Sequence, residues 1–156
     1  MRAVRRLSIY ADSSVIGGCE DPEFAETSRS LWERFVEGTH TLVLSAHTLR
    51  ELMQAPPVVR ARVDQILTDH MLLLPDSEEA FSLADAYIQR GILGPGSRSD
   101  ALHVALATVG RVDVLASWNF RHIVNLGRIR LFHSVNLERG YSLIEIRSPQ
   151  EVLEYD

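Results

Sequence analysis

Lysine is missing from this 156-residue chain: all 16 basic residues are arginine. That excludes Schiff-base chemistry, a phosphate loop built on lysine, and any site that needs an ammonium group. Cysteine is almost missing too. The lone Cys19 rules out an internal disulfide framework and suits a reducing cytoplasm. No apolar run nears the roughly 18–20 residues that cross a bilayer, so no membrane association is expected. The basic opening Met1-Arg2-Ala3-Val4-Arg5-Arg6 leads into a short apolar stretch that Asp12 interrupts, so it does not read as a secretory signal. Cationic excess is also lacking. A formal net charge of −5 speaks against a broad nucleic-acid face, since phosphate binding relies on clustered cations.

What is present is an ordinary globular composition, 46% apolar and 24% charged, and a length that one core fits comfortably. A single domain over 1–156 is expected. Leu7 to Ala11 reads as a first strand. Asp21-Pro22 starts a helix whose stripe of Phe24, Leu31 and Phe35 stops at Gly38. Thr41 to Leu44 reads as a second strand, after which Ser45 caps a helix through Leu49, Leu52 and Met53 that Pro56-Pro57 closes. A further helix is expected from Pro57 to about Asp69. Met71 to Leu74 is a short apolar run. Asp76-Ser77-Glu78-Glu79 has the spacing of a capping box ahead of a helix that Gly91 ends. After the Gly94-Pro95-Gly96 loop, Ser97 or Ser99 caps a buried helix over Asp100 to Ala107. Val112 to Ser117 reads as a strand, Arg128 to Arg139 as a helix, Leu143 to Ile146 as a last strand, and Ser148-Pro149 as the start of a short terminal helix. Short apolar strands alternating with helices predict a parallel sheet covered on both faces, with ligands beyond the carboxyl ends of the strands.

Those ends carry Asp12, Ser45 and Ser117. A strand interior does not accommodate a carboxylate, so Asp12 marks a strand end that reaches solvent or a cation. Glu51 lies in the helix after the second strand, and Asp100 in the first turn of the later apolar helix. Such a non-local carboxylate set is what phosphodiester hydrolysis asks for, because hard Mg²⁺ or Mn²⁺ takes oxygen ligands and activates water. Taken singly, Asp100 also suits a helix N-terminus and Glu51 a solvated helix face. Asp113 stands at the start of its strand, the wrong end to join them.

The chain resembles PIN-domain proteins, and more narrowly VapC-type toxins of bacterial toxin–antitoxin pairs. Asp12-Ser13-Ser14 resembles that family's opening motif. Ser45-Ala46-His47-Thr48-Leu49-Arg50-Glu51-Leu52 resembles its Ser-x-x-Thr-x-x-Glu-Leu segment. Asp100 to Ala107 resembles its Asp-Ala-x-His-x-Ala-x-Ala helix, and Leu115 to Phe120 its final strand and turn. The resemblance covers nearly the whole chain in order. It implies an α/β, PIN-like three-layer sandwich with a short-stranded parallel sheet flanked by helices. It also implies a Mg²⁺- or Mn²⁺-dependent ribonuclease with Asp12, Asp100 and Glu51 as metal ligands. Asn119 falls where many relatives carry a fourth acid, which puts a second metal in doubt. Ser14, Ser117 and Arg98 are expected near substrate, with Arg111, Arg121, Arg128 and Arg130 as a rim for RNA phosphate and Trp118 as a surface for a base. The implied partners are RNA, a second copy of the chain, and an antitoxin that inserts near the acids. The rival is a catalytically weak or inactive PIN-like module that binds RNA or protein. A response-regulator receiver needs a lysine this chain lacks. His103, three residues after Asp100, reads as a packed residue that orients its neighbour.

Overall fold

In the computed structural model, which describes residues 5–155, the five short apolar segments become one sheet. They are β1 (Ser8–Ala11), β2 (Thr41–Ser45), β3 (Met71–Leu74), β4 (Val114–Ala116) and β5 (Glu145–Arg147), in the order β3-β2-β1-β4-β5, every pairing parallel. The opening stretch Met1 to Val4 lies outside the described residues.

Side chains alternate across the pleat. Tyr10, Val43, Leu115 and Ile146 stand in register as one row on one face, where they meet α5 (Glu78–Gln89), α6 (Arg98–Val109) and α7 (Leu126–Glu138). Ile9, Ala11, Leu42, Leu44, Val114 and Ala116 face the other way. They pack against α1 (Ser13–Gly18), α2 (Ala25–Glu37), α3 (Ala46–Leu52), α4 (Pro57–Val63) and α8 (Pro149–Tyr155). The expected three-layer α/β sandwich, a short-stranded parallel sheet flanked by helices, is therefore the observed one. Helix α6 is buried from Ala101 to Thr108, all round rather than on one stripe, as a helix inside the second layer must be. No helix of the described residues is long and apolar enough to cross a membrane.

Several boundaries differ from expectation, each for a local reason. The apolar resumption after Asp12 is a helix, α1, with Asp12 as its N-cap. Helix α4 ends at Val63 rather than near Asp69. The chain turns there so that Ile66 enters the core, while the Arg62 carbonyl accepts the Trp32 indole N–H at 3.1 Å. The capping box does not form. Ser77 alone caps α5 through Ala80, and Glu79 instead accepts from the Tyr141 hydroxyl at 2.7 Å. Ser97 stands at the N-cap of α6 but its side chain makes no capping bond; the helix begins at Arg98, which puts Ser99 inside the first turn, where its hydroxyl donates to Glu51. Helix α7 starts two residues early because Asn125 caps it at Arg128 N–H.

Because every strand runs the same way, Asp12, Ser45 and Ser117 lie at one edge of the sheet. From β1 the chain steps to β2 on one side, and β4 fills the other. The crevice between the ends of β1 and β4 is thus the topological switch point, where open parallel sheets take ligands. Asp113 is held at the opposite edge, accepting from Ser8 N–H at 2.9 Å.

Candidate functional site

Asp12 straddles the switch point. It is only 4% exposed. Its Oδ1 accepts from the Ser14 hydroxyl at 2.5 Å and from the amides of Ser14 and Val15 at 3.1 and 3.4 Å. Its Oδ2 accepts from the Ser117 hydroxyl at 2.5 Å, beyond β4. A side chain that caps α1 is in this way tied across to the next strand. Burial pushes its pKa above the ordinary carboxylate value, against the opposing pull of the His103 charge and the bonds from Ser117, Ser14 and Val15.

Glu51 projects from α3 into a knot of polar side chains. Its Oε1 meets His103 Nε2 at 2.5 Å and the Ser13 hydroxyl at 3.2 Å, and its Oε2 accepts from the Ser99 hydroxyl at 3.0 Å. Ser13 adjoins Asp12 and Ser99 adjoins Asp100, so Glu51 stands between the two aspartates' backbones. Burial raises the Glu51 pKa, but the His103 bond and the His103 and His47 charges outweigh it and hold it down at about 2. His103 is buried on α6, and its Nδ1 meets the Tyr10 hydroxyl at 2.7 Å. That hydroxyl also meets Ser45 Oγ at 2.7 Å and Thr48 Oγ1 at 3.3 Å. His103 therefore orients Glu51, the neighbour it meets across the fold rather than along its helix.

Asp100 is half-buried, and its Oδ2 meets His122 Nδ1 at 2.9 Å. Asn119 is the link back. Its backbone N–H donates to Ser117 Oγ at 3.0 Å, and its Oδ1 accepts the His122 backbone N–H at 2.9 Å. A continuous chain of contacts thus joins Asp12 to Ser117, Asn119, His122 and Asp100. Arg98 points elsewhere, pairing with Asp85 at 3.2 Å over the Phe81 ring. Arg128 is a strap that donates to the carbonyls of Arg121 and Ile92. Trp118 stacks on Phe24 with ring centroids 4.3 Å apart and donates its indole N–H to Ser28, so its own neighbour covers one face. Its backbone N–H donates to Ser14 Oγ at 2.9 Å. Cys19 is buried, and burial raises its thiol pKa, away from a nucleophilic thiolate.

Two residues of this site escaped the sequence reading, His122 and His47. The second had a signal: it lies four residues before Glu51, on the same face of α3. Among the described residues, His47, Glu51 and His103 are the group of three metal-binding side chains whose ligand atoms all lie within 4.8 Å of one another. Asp12, Glu51 and Asp100 do not form such a group; Asp100 bonds His122 and Glu51 bonds His103 instead. The oxygen donors at the crevice nonetheless fit a hard divalent ion in chemistry. The buried Asp12 carboxylate is joined by no salt bridge among the described residues, and its raised pKa is the condition that a bound cation relieves.

No family model matches the chain, and no curated protein matches it in sequence. Solved structures do match its fold. VapBC2 from Rickettsia felis, bound to a DNA fragment from its promoter, superposes with a TM-score of 0.55 at 12% identity, over 91% of this chain and 98% of that one. The sarcin-ricin loop cleaving toxin VapC20 from Mycobacterium tuberculosis gives 0.55 at 15% identity, over 88% and 98%. FitAcB from Neisseria gonorrhoeae gives 0.56 at 16% identity, over 91% and 98%. The resemblance to VapC-type toxins thus extends to the fold of nearly the whole chain.

Proposed function

We propose that this chain is a metal-dependent endoribonuclease of the PIN/VapC type, a toxin restrained by a cognate antitoxin. The observation that carries the reading is the buried Asp12 carboxylate at the switch point of the sheet, fixed by Ser14 and Ser117 and linked through Asn119 and His122 to Asp100. The likeness to VapC20, a toxin that cleaves the sarcin-ricin loop, supports RNA as substrate, and the likeness to VapBC2 supports an antitoxin. The same reading makes the protein a cytoplasmic homodimer.

Asp12 and Asp100, with Glu51 assisting, would hold Mg²⁺ or Mn²⁺, which would relieve phosphate charge and make a water more acidic. The chain's own residues do the positioning. Ser14 and Ser117 fix both oxygens of Asp12. Glu51, with its pKa near 2, is anionic at working pH and a weak base. It orients an attacking water by accepting its hydrogen bond rather than storing its proton. Asn119 keeps the crevice less negative than a fourth carboxylate would, which eases the approach of phosphate. Arg98 reaches RNA by leaving Asp85, an exposed pair that holds it weakly.

The test is RNA degradation by the purified protein with Mg²⁺ or Mn²⁺, beside Asp12→Asn. The variant should lose the activity, and equal degradation by both would sink the proposal. The second reading, a binding module without turnover, has its own support in Asn119 and in the internal His partners of Glu51 and Asp100. RNA retained in a gel shift but uncut in Mn²⁺ would favour it.

A further inference from the structure

His47, Glu51 and His103 differ in chemistry from the oxygen-rich crevice. Two imidazoles and one carboxylate are the donor set of borderline transition ions, whereas Mg²⁺ prefers oxygen alone. We propose that these three side chains form a binding site for a transition ion of the Zn²⁺ class, sharing only Glu51 with the acidic crevice.

The geometry carries this in three ways. First, the ring centroids of His47 and His103 are 4.7 Å apart. An imidazole bonded end-on at about 2.0–2.1 Å has its centroid roughly 3.2 Å from the ion, so this spacing subtends about 95° there, between octahedral and tetrahedral values. Second, hydrogen bonds now knit the cluster together. Glu51 bonds His103 directly and His47 through Ser99, whose Oγ lies 2.8 Å from His47 Nε2 and 3.0 Å from Glu51 Oε2. An ion bound by all three would take the place of those shared protons. Third, His103 has the outer support that metal-bound histidines show. Its Nδ1 faces the Tyr10 hydroxyl, which can accept that N–H while turning its own proton to Ser45 or Thr48. His47 and Glu51 are only half-buried, which leaves the cluster open to solvent on their side. Because Glu51 belongs to both sites, a Zn²⁺ bound here withdraws it from the crevice and lowers any Mg²⁺-supported activity.

Isothermal titration of the metal-free protein with Zn²⁺ in excess Mg²⁺ tests the site directly. The expected result is one Zn²⁺ per chain. His47→Ala, a half-buried surface change whose folding circular dichroism can verify, should weaken binding at least about tenfold, and Tyr10→Phe by about tenfold. Asp12→Asn should bind Zn²⁺ like the wild type. No uptake of Zn²⁺, uptake undiminished by His47→Ala, or uptake lost equally in Asp12→Asn would each overturn the proposal. Zn²⁺ binding by a protein that cuts no RNA would refute the nuclease reading and leave this one standing.

Discussion

Ser117→Ala measures how firmly the crevice holds Asp12. Ser117 is fully buried, donates to Asp12 Oδ2 at 2.5 Å and accepts from Asn119 N–H at 3.0 Å. Removing a hydrogen bond to a charged group costs about 1.5–3 kcal/mol, and stranding the Asn119 amide adds roughly 0.5–1 kcal/mol. The expected loss is therefore about 2–4 kcal/mol, which for a chain of this length lowers Tm by about 4–16 °C. Urea denaturation in chelator, at neutral pH, reads the same loss without metal. A double-mutant cycle with Asp12→Ala isolates the pair. Its coupling should be about 1.5–3 kcal/mol, the share of the charge-assisted bond. A coupling under about 0.5 kcal/mol, the scatter of independent sites, would refute the claim that Ser117 holds a charged Asp12.

Three further outcomes follow from the same contacts. Gly18→Ala puts a Cβ 2.5 Å from Ser28 Oγ and 3.0 Å from Trp118 Nε1, so it should break the Trp118–Ser28 bond and cost about 1–3 kcal/mol in urea denaturation. Burial, then the Arg34 and Arg6 charges, lower the pKa of His40, whose Nδ1 accepts the Leu7 N–H. The unfolded chain then takes up a proton that the folded one refuses, so stability should fall as pH drops through about 6.5 and flatten below the folded pKa. His40→Asn should remove part of that slope, and an unchanged slope would refute it; His47, also lowered by burial, adds to it with the same sign. Asn119→Asp keeps an acceptor for His122 N–H and adds a charge at the crevice. Titration with Mn²⁺ should find affinity raised about tenfold, roughly 1.4 kcal/mol of Coulomb attraction, and no gain would place Asn119 outside the ion's reach.

Much of this was legible in the residues. Asp12 stood out because a charge between apolar neighbours needs a structural reason, and alternating apolar segments identified a sheet covered on both faces. The form of that reason was hidden. A carboxylate that ends a strand and one that caps the next helix look alike in sequence, so α1 went unseen. Strand limits blurred because strands buried on both faces and the loops packed beside them are equally apolar. Ile144 is buried yet precedes β5. The partners of the acids were the least legible. His122 reaches Asp100 across 22 positions and His103 reaches Glu51 across 52, and no local period records such pairings.

Those pairings explain how the crevice tolerates three acids at one edge. Carboxylates at one edge of a sheet repel, and burying them needs compensation from neighbouring groups. Each acid has its own. Asp12 has two serine hydroxyls and a helix N-terminus, Glu51 has His103, and Asp100 has His122. A fourth acid at position 119 would have no comparable partner, because His122 already serves Asp100 through its ring and Asn119 through its backbone N–H. The neutral amide at 119 is thus the residue type that these contacts can hold at least cost. A bound cation would reverse that preference, so the effect of Asn119→Asp on stability should change sign between chelator and excess Mn²⁺.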